Sequence, residues 1–421
     1  MSITQNTFGK RIYMDNAATT ATSGSALGAM MPYMNKVFGN PSSMHSWGQE
    51  AAEALNCARE RVAKAINASP KEIYFTSGGS EADNQAVISA VRIGERSGKK
   101  HIISSTIEHH AMLHTFTALE KQGFEITLLP VEPETGLVSV SDLEAAIRED
   151  TVLVTIMAAN NEIGTIQPIA EIGKLCRARR VIFHTDAVQA VGHIPIDAAA
   201  QNIDMLSLAG HKFHGPKGVG ALYCRTGIPL SPLIEGGAQE RGRRAGTENL
   251  PGIMGMAQAL TDAVESMDET ANHLIPLRDY LIQKLSQIPR SHLNGAKINN
   301  NQKNRLPNNV NFCFEGIEGE SLLLLMDAKG IGASSGSACT SGSLDPSHVL
   351  LAIGRPHEIA HGSLRLSMSR DTTQEEVEYA AEATAQVVEY LRGMSPVWER
   401  IINNENTDVS SKLCTKCDRC K

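Results

Sequence analysis

Gly210-His211-Lys212 follows Asp186-Ala-Val-Gln189 at about the distance of one strand crossover. Gly215, Pro216 and Gly218 come next, so Lys212 is expected on a tight turn and not on a solvated helix face. A lysine held there suits a Schiff base with an aldehyde cofactor. A buried aspartate suits a protonated pyridine nitrogen, which makes the ring an electron sink. Singly, each residue reads better as a surface lysine or a capping aspartate; at this spacing the pair favours the chemistry. In Thr76-Ser77-Gly78-Gly79-Ser80-Glu81, two glycines let backbone N–H groups approach an anion, and Ser80 is the expected helix cap. Gly-Gly turns before helices are common, so this signal is weak alone, and it is not the loop that binds nucleoside triphosphates. In Ala333-Ser-Ser-Gly-Ser-Ala-Cys339-Thr-Ser-Gly-Ser343, small polar residues surround one cysteine. An exposed nucleophilic thiol and a linker with an incidental cysteine explain that stretch about equally.

The elements that must position these residues are short β-rich runs alternating with amphipathic helices. Ile73–Thr76, His101–Ser105, Phe124–Val131, Val152–Ala158, Val181–Thr185, Met205–Leu208 and Val219–Cys224 read as strands. Glu81–Arg92, Met112–Lys121 and Ile169–Ala178 read as helices, and Ser141 with Glu144 forms a capping box for a helix through Ile147. The alternation predicts an α/β fold with a mostly parallel seven-stranded sheet covered on both faces. Asp186 and Lys212 then open on the same rim of that sheet, where ligands bind. Beyond residue 250 the pattern becomes α+β, with long helices interrupted at Pro276, strands at Asn308–Phe314 and Ser363–Ser369, and a helix at Gln374–Leu391. Asn294–Asn309 reads as an exposed loop. The expected organisation is a large domain over 20–264, a small domain from 1–19 with 265–400, and a flexible cysteine-containing tail over 401–421.

Of the 421 residues, 42% are hydrophobic and 20% charged, and the net charge is −7, which gives no electrostatic reason to bind nucleic acid. The N-terminus lacks an apolar signal region and no run could span a bilayer, so a soluble, cytoplasmic protein without a membrane partner is expected. Cys57, Cys176, Cys224 and Cys313 read as small buried hydrophobes. His110 and His114 could ligate a metal, but no third ligand is evident and a satisfied or surface pair is the better reading. His193, His292 and His348 carry no usable signal. Cys414, Cys417 and Cys420 have spacing that suits metal or iron–sulfur ligation, a sulfur relay, or an inert tail.

YMDNAATT, FGNPSSMHS, SGGSEADN, EHHA, ANNEIG, TDAVQAVG, GHKFHGPKG, ERGRRAGTEN and SSGSACTSGS together resemble the NifS/IscS-type cysteine desulfurases, class V of the fold-type I pyridoxal-phosphate transferases. MDNAATT, FGNPSSMHS, GRRAGTEN and SGSLDPSHV look most like the branch serving nitrogenase cluster assembly. The resemblance implies conversion of L-cysteine to L-alanine, with sulfur carried on Cys339 as a persulfide toward an iron–sulfur scaffold or another acceptor protein. A selenocysteine lyase or another class V enzyme is the alternative. By the same resemblance, Lys212 would bind pyridoxal 5′-phosphate covalently and Asp186 would pair with the ring nitrogen. Asn161 and Gln189 would lie by the ring hydroxyl, and His109 would stack on the ring and move protons. Gly79, Ser80, Gly210 and His211 would hold the phosphate. Thr247 would reach the phosphate of a second subunit, which implies a homodimer. Arg365 would bind the substrate carboxylate, with Asn16 and Arg241 as weaker candidates, and Cys339 could be a transient iron–sulfur ligand. Ala209 departs from members with a serine there and removes one hydroxyl contact to phosphate.

Overall fold

A computed structural model describes residues 11–297, 304–335 and 346–403. Its central sheet runs in the order Ile73–Thr76, Gly220–Cys224, Met205–Ala209, Ile182–Asp186, Thr151–Thr155, His101–Ser105 and Glu125–Leu129. Only Gly220–Cys224 runs against its neighbours; the other pairings are parallel. Thr151–Thr155 and Met205–Ala209 are buried at every position. Such strands have helices on both faces and therefore need apolar or hydrogen-bonded side chains in every register position. One hydrophobic cluster gathers Ile73, Phe75, Ile103, Val154, Phe183 and Leu206 with residues of helices Ser46–Ala65 and Leu250–Glu265. Another covers the opposite face with Ala82, Ala86, Ala90, Ile102, Met112 and Leu153.

A separate cluster joins Ile12 and Met14 to Leu274, Leu277, Leu281, Phe312, Phe314, Leu364, Leu366 and Val387. It lies around a three-stranded antiparallel sheet of Ser363–Ser367, Asn309–Phe314 and Ser291–Leu293. Ile12–Tyr13 pairs in parallel with Ile331–Gly332, and Asp15 bridges to Ser367. That pairing carries the next residues, Ala17 and Ala18, onto the rim of the large sheet, where they meet Lys212 and Gln189.

Several local expectations need correction. Pro276 lies inside the unbroken helix Met267–Leu285. Its missing N–H leaves Asn272 without a helical donor, but both residues are exposed, so water can serve that carbonyl while Leu274, Leu277 and Leu281 stay buried. The cap of helix Val140–Ala146 is Ser139, whose hydroxyl accepts from the Asp142 N–H; Ser141 lies one turn position inside. Gly78, not Ser80, precedes helix Gly79–Ser97, and no side chain caps it. Apart from the exposed Lys297 and Asn304, the described residues of Asn294–Asn309 are buried: Arg305 donates to the Ala296 and Asn294 carbonyls, and Asn294 donates to Asn311. Cys339, Cys414, Cys417 and Cys420 lie outside the described residues.

Candidate active site

Five parallel strands end on one rim, and each delivers polar groups there. Thr76 leads into the Gly78-Gly79 turn, Ser105 into Glu108-His109, Thr155 into Met157–Asn161, Asp186 into Gln189, and Ala209 into His211-Lys212. Gly79, Ser80, Asp83, His109, Asn161, Asp186, Gln189, His211, Lys212 and Arg365 line one cavity of about 340 Å³, within the range of small-molecule pockets. Lys212 sits on a single 3-10 turn, Gly210–Lys212. Its Nζ donates to the Ala17 and Ala18 carbonyls, 2.8 Å each. Gln189 Nε2 donates to the same Ala17 carbonyl at 2.8 Å. Arg365 donates from Nη2 to the Asp15 carboxylate at 2.8 Å and from Nη1 to the Asn161 carbonyl at 3.0 Å. Its Nε is buried without an acceptor. His109 caps helix His110–Glu120 by accepting from the Ala111 N–H through Nδ1 at 3.1 Å.

Burial dominates the electrostatics. It raises the Asp186 carboxyl, against the pull of His109, the Val188 N–H and Lys212. Asp83 is raised further, because Asp186 and Glu108 add like charge to its burial. Burial pushes Glu108 up to about 8 and Glu162 up to about 7. His211, hydrogen-bonded to the Thr19 hydroxyl at 3.1 Å, is held down at about 4 by burial and by Lys212 and Lys217. A neutral imidazole there can keep its hydrogen bond without adding repulsion beside the lysine.

The remaining candidates lie elsewhere. Asn16 points its amide at the Ser367 carbonyl, 2.9 Å away, and does not line the cavity. The Arg241 guanidinium lies 4.1 Å over the Tyr74 ring, and Thr247 is exposed; neither lines the cavity. Gly210 is buried behind Lys212. His110 stacks near both His114 and His348, with ring centroids at 5.2 and 4.7 Å, yet among the described residues no cluster of ligating side chains could hold a metal. His193, which the sequence left without a role, hydrogen-bonds the Lys212 carbonyl at 3.0 Å and so braces the lysine turn. Asp83, Glu108, Glu162 and His184 were also missed, because only burial in the folded chain sets them apart from other polar residues. Among the described residues, no helix is long and apolar enough to cross a membrane.

A family model described as aminotransferase class-V matches residues 12–380. A cysteine desulfurase IscS from Methanosarcina thermophila is 55% identical over 392 residues, covering 93% of this chain and 95% of the relative. One from Clostridium botulinum strain Hall is 53% identical over 397 residues, covering 94% and 99%. The chain belongs to the class-V aminotransferases, in the NifS/IscS-type branch. A solved NifS-like protein agrees in fold, with a TM-score of 0.84, 39% identity, and coverage of 91% of this chain and all of that one. Class V enzymes of this type work with pyridoxal phosphate, and the cavity fits it. A Cβ on Gly79 would come within 2.7 Å of Val188, so the glycine keeps the wall open where the uncapped helix N-terminus offers N–H groups to a phosphate. Asp83 Oδ1 and Arg365 Nε, on two residues that line that space, are buried without partners. Each unsatisfied group costs about 1–3 kcal/mol, a cost that a bound ligand can offset.

Proposed function

We propose that the protein is a homodimeric cysteine desulfurase that converts L-cysteine to L-alanine, stores the sulfur on Cys339 as a persulfide, and passes it to an acceptor for iron–sulfur cluster assembly in the cytoplasm. The observation that supports this most is the convergence of Lys212, Asp186 and Arg365 on one cavity. Bound pyridoxal phosphate supplies an aldehyde for covalent capture of amines and a ring that spreads negative charge from the substrate α-carbon. Arg365 holds the substrate carboxylate, with Nε as the donor left over from its contacts to Asp15 and Asn161. Lys212 anchors the cofactor and then takes the α-proton. Asp186 would keep the ring nitrogen positive, Asn161 and Gln189 would hold the ring from its hydroxyl side, and His109 would cover it. Gly79, Ser80, Gly210 and His211 hold the phosphate, joined by Thr247 of a second subunit.

The Cys339 thiolate then attacks the substrate sulfur. The substrate C–S bond breaks as the S–S bond to Cys339 forms, and the β-carbon takes a proton to become the methyl group of alanine. Thiol plus cysteine gives persulfide plus alanine, so no external oxidant is needed. Cys414, Cys417 and Cys420 are read as helping hand the sulfur or a cluster onward. A selenocysteine lyase reading is not favoured, because the similar curated proteins are cysteine desulfurases. Purified protein with L-cysteine and a thiol reductant should release alanine and sulfide in equal amounts. Cys339→Ser should keep the spectral response to L-cysteine and lose persulfide formation by about 100-fold or more. Absence of alanine from the wild type, or undiminished sulfur transfer in Cys339→Ser, overturns the reading.

A further inference from the structure

Residues 336–345, which carry Cys339, join two described stretches, and both stretches are tied to the rim of the cavity. Upstream, Ser334 bridges to Arg365, whose side chain lines the cavity. The Arg365 N–H donates to the Ser334 carbonyl at 2.6 Å, and the Ser334 N–H donates to the Arg365 carbonyl at 3.2 Å. The Ser363 hydroxyl donates to the Ser335 carbonyl at 2.8 Å. Downstream, the Ser347 hydroxyl donates to the Glu162 carboxyl at 2.5 Å, and His348 Nε2 lies 2.9 Å from the Glu108 carbonyl. Glu162 follows the cavity residue Asn161, and Glu108 precedes the cavity residue His109.

Glu162 is itself held firmly. Its N–H donates to the Asn160 side chain at 2.9 Å, and its carbonyl accepts from the Asn311 amide at 3.1 Å. The adjoining Asn161 carbonyl accepts from Arg365 at 3.0 Å. The Ser347 oxygen also caps helix His348–Ala352, accepting from the Val349 N–H at 3.1 Å and the Leu350 N–H at 3.3 Å. Capping uses the lone pairs of the hydroxyl and leaves its proton free to be donated. A helix cap needs no carboxyl behind it. Glu162 and Ser347 are both buried, and a carboxyl buried against a neutral hydroxyl costs the scaffold more than an apolar side chain there would. What the carboxyl adds is a fixed place for Ser347. Cys339 stands four residues after Ser335 and eight before Ser347. The chain therefore keeps it within about 14 Å of the first and about 29 Å of the second. With only the upstream tie, the thiol could sweep in every direction around Ser335; the downstream tie removes the directions that lead away from the rim.

We propose that Glu162 is a positioning residue for sulfur transfer, which acts through Ser347 to hold the downstream end of the Cys339 segment at the cavity rim. This rests on the desulfurase reading above. Glu162 touches neither the substrate nor the cofactor. It sets how often the Cys339 sulfur meets the substrate sulfur, and leaves substrate binding and α-proton removal to the cavity residues.

Single-turnover experiments on the purified holoenzyme, with L-cysteine and no reductant, read the two halves of the reaction separately. The change in cofactor absorption reports substrate binding and proton removal, and alkylation with mass mapping reports persulfide on Cys339. Glu162→Met removes the acceptor at similar side-chain length. It should keep the rate of the absorption change within about twofold and slow persulfide formation by about 10- to 100-fold, the range that a small misplacement costs. Glu162→Gln retains an acceptor for Ser347 and should restore persulfide formation to within about threefold of wild type. Ser347→Ala removes the other half of the hydrogen bond and should show the same split; this arm stands even if Glu162→Met does not fold. Added to Glu162→Met, it should slow the reaction by no more than about twofold further, because the two changes remove one interaction. Wild-type persulfide formation in Glu162→Met or Ser347→Ala, or an absorption change lost in step with the persulfide, overturns the assignment. So does a Glu162→Gln enzyme as slow as Glu162→Met. Absence of both persulfide and alanine from the wild type would instead defeat the desulfurase reading.

Discussion

Two buried regions of this fold that carry ionisable side chains are built on opposite terms. In one, Arg59 and Glu240 form a two-pronged ion pair, both prongs at 2.7 Å, with side chains 9% and 2% exposed. Glu240 also accepts the Phe75 N–H at 3.0 Å, and Arg59 donates to the Ile73 carbonyl at 2.7 Å. Its ionised groups have protein partners, and the pair holds the left-handed residues Glu240 and Arg241 in place. In the other region, around the cavity, Asp83 and Arg365 each keep a buried polar atom with no partner, as does Glu108, next in sequence to the cavity residue His109. Satisfied buried charge serves the scaffold. Buried polar atoms left unsatisfied on the cavity wall remain available to a ligand.

Substitution separates the two. The largest effect belongs to the cavity: Lys212→Ala should lower alanine release by about 1000-fold or more while shifting stability by no more than about 1 kcal/mol. A large stability loss together with the activity loss would make Lys212 part of the scaffold. Glu240→Ala should do the reverse. Leaving Arg59 buried and uncompensated should cost about 3–5 kcal/mol of folding stability, read as a lower denaturation midpoint, with the remaining folded enzyme still binding cofactor. Equal midpoints for variant and wild type would remove the contrast.

Glu108 sharpens it through pH. Burial pushes this carboxyl up to about 8, whereas in the unfolded chain it ionises near about 4.3. Its contribution to stability is therefore full below about pH 4.3 and is lost as pH rises through about 8. Glu108→Gln keeps acceptors for the Ser105 hydroxyl and Met157 N–H and removes the ionisation. Relative to wild type it should gain roughly 2–4 kcal/mol between about pH 5 and pH 9, measured by denaturant unfolding at both values. A difference that does not change with pH would mean that Glu108 is not held neutral by its burial. The smallest effect is expected from the chain end. Deleting the residues after Ile402 should leave alanine production within about 1.5-fold and stability within about 0.5 kcal/mol, while slowing sulfur delivery to a protein acceptor. A truncated enzyme that equals the full chain in acceptor transfer would remove the role proposed for the terminal cysteines.

Much of this architecture was legible because the strands of the seven-stranded sheet announce themselves. Each of the seven runs named from sequence is a strand, with ends trimmed as in Phe124–Val131, which becomes Glu125–Leu129. Lys212 and Asp186 were readable for the same reason: a polar residue just past an apolar strand must emerge on the rim. What stayed hidden depends on packing between distant segments. Asn294 to Asn309 is polar in composition, yet Arg305 is buried because the Ala296 and Asn294 carbonyls need donors. Asp83 and Asn84 are adjacent polar residues on one helix, and only the sheet beneath decides that Asp83 is buried. Pro276 misled because a proline's cost depends on whether water reaches the carbonyl it leaves free. The place of Arg241 was hidden because the Tyr74 ring that receives it is remote in sequence.

In the proposed reaction the polar atoms of the cavity would hold pyridoxal phosphate against Lys212, and one measurement reaches that directly. The purified protein should be yellow, and borohydride should fix the cofactor irreversibly. Digestion and mass mapping should then find the cofactor on the peptide carrying Lys212 and on no other lysine. Cofactor fixed to a different lysine, or to none, would contradict the assignment of the site and the chemistry built on it.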